Sequence, residues 1–140
     1  MKKILIASDH AGFKLKTQLI PLIEKKFKLN DLGPVNDNSV DYPDLALKLS
    51  KKISKNKNLF GILICGSGMG MAIAANKVKN VRAALCYSTK NTELSRLHNN
   101  ANIITLGSRL TSKKKAIQLI NLFLSTKFEG GRHLRRIKKI

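Results

Sequence analysis

The run Ile62-Leu63-Ile64-Cys65, closed by Gly66-Ser67-Gly68-Met69-Gly70, restricts this chain more than any other stretch. A short apolar run bounded by glycines reads as a buried strand, and the turn after it opens directly into a helix. Glycine takes positive φ freely and leaves no side chain between backbone N–H groups and a ligand. A helix N-terminus adds a partial positive charge. Cys65 then ends the strand, where open parallel sheets place their ligands, and a dipole of that sign favours a thiolate. The turn thus offers a candidate base beside an oxyanion pocket. The same features suit a plain strand-to-helix turn whose cysteine packs as a small hydrophobe. No Gly-Lys-Ser/Thr closes the turn, so it is not a Walker loop. Gly66, Gly68 and Gly70 also miss the G-x-G-x-x-G spacing of a dinucleotide site.

Around this stretch, strand and helix patterns alternate from end to end. Strands are expected at 3–8, 28–32, 59–65, 81–85 and 103–106, and helices at 12–27, 43–55, 70–76, 89–98 and 112–126. In the first helix Leu15, Leu19, Leu22, Ile23 and Phe27 form one apolar face, and Pro21 removes a hydrogen bond or bends the axis. Ala116, Leu119, Ile120 and Phe123 point inward from the last long helix. Five strands alternating with helices predict an α/β, doubly wound parallel sheet, and 140 residues without an internal linker predict one domain. Right-handed crossovers would line up Ser8-Asp9-His10, 65–70 and Gly107-Ser108-Arg109 along one rim.

Composition excludes several classes. No run approaches a membrane span, and Met1-Lys2-Lys3-Ile4-Leu5 leads into a strand rather than a signal peptide. Two cysteines, Cys65 and Cys86, make no disulfide framework, so a cytoplasmic, reducing setting is expected. The net charge of +19 raises the question of a nucleic-acid-binding module. The excess is mostly lysine on helix faces, as at Lys113-Lys114-Lys115, with few aromatics and little arginine to read bases. It reads as solvated surface, with no specific nucleic-acid partner.

Four further groups could carry chemistry. Asp9-His10 ends the first strand, where an Asp is equally a helix cap. His98-Asn99 ends a helix, where a His equally satisfies the last carbonyls. Arg132 and Arg136 are four apart, so a short helix would project both from one face toward an anion. Arg109 follows the last strand on the expected rim.

Taken together these blocks resemble the type B ribose-5-phosphate isomerases, which share a broader family with galactose-6-phosphate isomerase subunits. The resemblance spans the chain through Ser8-Asp9-His10-Ala11-Gly12-Phe13, Asp41-Tyr42-Pro43, Cys65-Gly66-Ser67-Gly68-Met69-Gly70, Ala74-Ala75-Asn76-Lys77, Ser95-Arg96-Leu97-His98-Asn99, Gly107-Ser108-Arg109 and Glu129-Gly130-Gly131-Arg132-His133. It implies a Rossmann-like three-layer sandwich acting as a homodimer with composite sites, or as a tetramer of such dimers, without metal or cofactor. The implied reaction interconverts ribose 5-phosphate and ribulose 5-phosphate through an enediolate. By the same resemblance Cys65 matches the carbon-proton base and His98 the acid/base that opens the furanose. Ser67 and the turn amides at Gly66, Gly68, Met69 and Gly70 match the groups that steady the enediolate. Asp9, Tyr42 and Asn99 match sugar contacts, and His10, Arg109, Arg132 and Arg136 match the phosphate surroundings. Some members carry a Glu base in the turn; Met69 stands there and takes no proton. Isomerases of six-carbon phosphates, of the allose 6-phosphate or galactose 6-phosphate kind, are the alternative within the family. The galactose type often loses the Cys-Gly turn or the Arg-His tail, and both are intact here.

Overall fold

Ile4 and Ile6 bury against one layer of helices, while Leu5 and Ala7 between them bury against another. That alternation follows from the two-residue period of a strand, and it makes a sheet covered on both faces. The computed structural model describes residues 2–140. Its strands are β1 (Lys3–Ser8), β2 (Lys28–Asp31), β3 (Leu59–Cys65), β4 (Ala83–Leu85) and β5 (Ile103–Gly107). They form one sheet in the order β2-β1-β3-β5-β4, with every pairing parallel. The helices are α1 (Phe13–Glu24), α2 (Tyr42–Ser54), α3 (Met69–Ala75), α4 (Thr89–Leu97), α5 (Lys113–Ser125) and α6 (Arg132–Ile137).

Leu15, Leu19 and Ile23 of α1 and Ala116, Leu119, Ile120 and Phe123 of α5 pack on Ile4, Ile6, Ile62, Ile64, Ile104 and Leu106. Ala46, Leu49 and Ile53 of α2 and Met71 and Ala75 of α3 cover the other face, over Leu5, Ala7, Leu63 and Cys65. Each fully buried Ile or Leu contributes about 1.5–3 kcal/mol relative to exposure. The expected three-layer α/β sandwich with a five-stranded parallel sheet is the observed one.

Differences from the sequence reading lie at element ends and on one face. The first helix stops at Glu24 rather than residue 27, and β4 starts at Ala83 rather than residue 81. Arg82 leaves the ladder because its N–H donates to the Asn102 side chain at 2.8 Å. His98 is the cap that follows α4, with its N–H donating to the Leu94 carbonyl at 2.9 Å. On α1, Leu22 is only half-buried, whereas Lys16 is wholly buried. The Lys16 ammonium donates to both Asp31 oxygens, at 2.8 and 3.0 Å, and to the Pro34 carbonyl at 2.7 Å. A buried cation persists when it is paired and its donors are satisfied, and here three acceptors meet three donors.

This pair generates a stability prediction. Asp31→Ala strands the Lys16 charge and should cost about 2–3 kcal/mol in urea unfolding, toward or below the low end of values for broken buried pairs because Asp31 is partly solvated. Lys16→Met in the Asp31→Ala background should recover most of that loss.

Candidate active site

Because every strand runs the same way, β1, β3 and β5 deliver their carboxyl ends to one edge of the sheet. Ser8 pairs with Ile64 and Cys65 pairs with Gly107, so the three loops that follow meet there. The Ser108 N–H donates to the Cys65 carbonyl at 2.8 Å, and the Arg109 N–H donates to that of Gly66 at 3.0 Å. Thr105 Oγ1 donates to the Gly68 carbonyl at 2.9 Å. Those bonds hold the glycine turn rigidly against β5.

Cys65 is 5% exposed and faces the α2/α3 layer. Its Sγ accepts the Gly68 N–H at 3.1 Å, so the turn aims an amide donor at the sulfur. Gly68 has φ +78°, and a Cβ there would lie 2.7 Å from Leu85 Cδ1 and 2.9 Å from the Leu106 carbonyl carbon. At Gly66 the nearest atoms to a Cβ would be those of the Arg109 guanidinium, with Nη1 at 2.7 Å. Arg109 thus reaches across the turn from the end of β5. The Tyr42 ring lies over Gly70 from the first residue of α2. Ser67 Oγ accepts the Met69 N–H at 3.2 Å, and Met69 itself projects outward.

Asp9 is buried, and its Oδ1 accepts the Gly12 N–H at 3.0 Å. That bond closes the turn leading into α1, whose cap is Gly12 rather than Asp9, and it fixes the carboxylate beside the glycine turn. His10 Nδ1 lies 3.3 Å from the Val40 amide nitrogen and from the Val40 carbonyl, which ties the loop before α2 to the same edge. Ten of the expected site residues therefore share this edge: Asp9, His10, Tyr42, Cys65, Gly66, Ser67, Gly68, Met69, Gly70 and Arg109.

His98, Asn99, Arg132 and Arg136 do not. Helix α4 leaves the carboxyl end of β4 and returns to the amino end of β5, so His98 lies at the opposite edge of the sheet. Gly61 pairs with Ile103 and Cys65 with Gly107. The four-residue span alone separates the edges by about 13 Å at about 3.3 Å per residue. Helix α5 makes the same return, and the Glu129 N–H donates to the Leu97 carbonyl at 3.1 Å. Arg136 joins His98, Asn99, His133, Ile137 and Ile140 around a pocket of about 280 Å³. Arg132 and Arg136 are exposed on α6, the short helix expected from their spacing.

Arg96, two residues before His98, anchors the end of α4. Buried over the Phe60 and Phe123 rings at 5.1 and 5.6 Å, it donates to the Thr126 carbonyl and the Asn100 side chain. Burial, and the nearby Arg82 charge, push its ionisation down from the ordinary guanidinium range. The His98 and His133 rings stack at 4.1 Å between centroids and 14° between planes. Glu129 faces both, with Oε2 3.9 Å from His98 Nε2 and Oε1 3.7 Å from His133 Nε2. Among the described residues, these three are the group whose potential metal-binding atoms come within 4.8 Å of one another. Glu129 and His133 escaped the reading of single residues; their i,i+4 spacing astride Gly130-Gly131 was the available signal. Cys86 is buried away from the turn, and burial pushes its thiol up despite hydrogen bonding with the Thr92 and Ser95 side chains.

The family profile described as Ribose/Galactose Isomerase matches residues 4–140. The chain belongs to that family. It is 37% identical over 141 residues to the ribose-5-phosphate isomerase B of Escherichia coli, covering 100% of this chain and 95% of the relative. A solved ribose 5-phosphate isomerase from Thermotoga maritima superposes with TM-score 0.95 at 48% identity, covering 99% of this chain and 96% of that one. The ribose-5-phosphate isomerase B of Mycoplasma genitalium, solved with bound ribulose-5-phosphate, superposes with TM-score 0.93 at 48% identity, covering 98% and 92%. The protein is an isomerase of the ribose-5-phosphate isomerase B type.

The turn geometry separates stability from activity. Gly68→Ala must strain a left-handed backbone against fixed neighbours and should cost about 1–3 kcal/mol or more in thermal unfolding. Gly66→Ala displaces only a flexible arginine; its melting temperature should stay near wild type while isomerase turnover falls.

Proposed function

We propose that this isomerase interconverts ribose 5-phosphate and ribulose 5-phosphate through an enediolate, at sites shared between two copies of the chain. The observation that carries the substrate is the 48% identity to the Mycoplasma genitalium enzyme solved with ribulose-5-phosphate, across 98% of this chain. In this reading Cys65 moves the proton between C1 and C2. Ser67 and the N–H groups of the turn, from Gly66 through Met69 to Gly70, face the oxygen that becomes negative, where preorganised donors act most strongly. Asp9 and Tyr42 hold the sugar hydroxyls. His10 and Arg109 line the same edge.

His98, Asn99, Arg132 and Arg136 stand at the far edge, so within one chain the ring-opening group cannot reach the base. A homodimer in which each far edge meets the partner's glycine turn resolves this, and two such dimers would make a tetramer. His98 then opens the furanose, and the arginines grip a phosphate that takes no part in bond changes. Binding energy from that remote group orients the reacting carbons. The net charge of +19 draws anionic substrates from solution. Cys65 and Cys86 are both free, as suits a reducing cytoplasm. Among the described residues no helix is long and apolar enough to cross a membrane.

A direct assay with ribose 5-phosphate beside allose 6-phosphate and galactose 6-phosphate tests the substrate. Preference for a six-carbon phosphate would overturn the pentose reading. Cys65→Ala should lower turnover about a hundred- to ten-thousandfold, with Cys86→Ala near wild type.

Shared sites predict complementation. Cys65→Ala and His98→Ala chains, each inactive alone, should on co-expression recover about a quarter of wild-type activity, since half of randomly paired dimers carry one intact site of two. Absence of recovery in purified mixed dimers would refute the shared site.

A further inference from the structure

We infer that Glu129 and His133 are positioning residues for His98, holding its ring for the opening of the sugar. The inference rests on the proposed role of His98 and extends it to two residues to which that reading gives no task. Three features support it.

The backbone is shaped to bring these groups together. Gly130 and Gly131 have φ +74° and +58°, a left-handed pair that side chains disfavour. It turns the chain between Glu129 and His133, so both side chains face α4. The Glu129 N–H donates to the Leu97 carbonyl, one residue before His98, and the His133 N–H donates to the Gly130 carbonyl. The carboxylate is thereby tied to the element that carries its target.

The side chains form a symmetric arrangement. His133 is buried and gives a fixed flat surface on which the half-exposed His98 ring stacks, 4.1 Å away and within 14° of parallel. Each Nε2 addresses a different oxygen of the one carboxylate, at 3.9 and 3.7 Å. Stacking restricts the plane of the His98 ring, and the carboxylate lies against its Nε2 edge at ion-pair distance. A proton taken up by His98 puts positive charge beside Arg136, and Glu129 supplies the opposing charge.

Stability does not explain Glu129. Its side chain is 56% exposed, and its polar contacts are the two imidazoles. An exposed carboxylate aimed at two stacked histidines beside a pocket suits a group that orients another.

Ribulose 5-phosphate has no furanose to open, since its phosphate occupies O5. Solvent-deuterium uptake at its C1 therefore reports the proton base alone, whereas net conversion of ribose 5-phosphate also needs ring opening. Glu129→Gln should lower net conversion by at least about tenfold, because an orienting carboxylate behind a histidine can be worth far more. Deuterium uptake should stay within about twofold of wild type, with the melting temperature unchanged. His133→Ala should show the same split, and His133→Phe, which keeps a flat ring, should restore most of the conversion. Parallel loss of both readouts in Glu129→Gln, or unchanged net conversion, overturns the inference. If wild type itself neither converts ribose 5-phosphate nor exchanges C1 of ribulose 5-phosphate, the substrate reading falls first and this inference with it.

Discussion

Strand polarity governs this molecule. With β1, β3 and β5 side by side and parallel, every strand-to-helix loop emerges at one edge and every helix-to-strand return lies at the other. The register, Ser8 to Ile64 and Cys65 to Gly107, then decides which loops touch. Chemistry-bearing residues after strands are gathered by backbone pairing alone. Those at the ends of helices are sent about 13 Å away by the same pairing. In the proposed reading, a second chain is therefore a consequence of topology, since no side chain spans that gap.

The edge that carries Cys65 is stiff for a reason independent of the reaction. The turn is bonded to the loop after β5 through Ser108 and Arg109, and to β5 itself through Thr105. Backbone approaches this close that glycine alone fits occur where Gly68 passes Leu106 and where Gly107 passes Ser67. In the proposed reading, a base whose donors are fixed before substrate arrives spends no binding energy on ordering them. The second cluster is built differently, from two stacked imidazoles facing an exposed carboxylate, with exposed charged residues around them. One half is backbone held by a sheet, and the other is side chains held by a helix end.

Much of this was legible in the sequence because its signals are local. Strand-helix alternation, the apolar run into Cys65 and the paired arginines of α6 each depend on neighbours in the chain. What escaped depends on contacts distant in sequence. Lys16 reads as solvated by its type, yet Asp31 and the Pro34 carbonyl, brought by the next strand and its turn, allow its burial. Residues 81 and 82 read as strand, yet the Asn102 side chain takes the Arg82 amide out of the ladder. The sequence pattern puts Asp9-His10, the glycine turn and Arg109 on one rim, and the family resemblance implies a composite site. The register of the sheet adds where His98, Asn99, Arg132 and Arg136 stand, at the opposite edge.

That division bears on how the large positive charge is distributed. Of the four residues at the far edge two are arginines, whereas the lysines are spread over helix faces and the amino-terminal ends of β1 and β2. Lysine is a hydrated point charge that attracts anions broadly, and arginine offers a planar fork that grips one oxyanion in a set orientation. Scattered lysine suits the approach of an anionic substrate, and grouped arginine suits its final placement. A fixed orientation matters only if the phosphate end is held independently of the carbons that react. In the proposed dimer it would be, because the arginines of one chain face the glycine turn of the other. The charge then acts in two steps, a long-range one that salt screens and a short-range one that a bidentate contact protects.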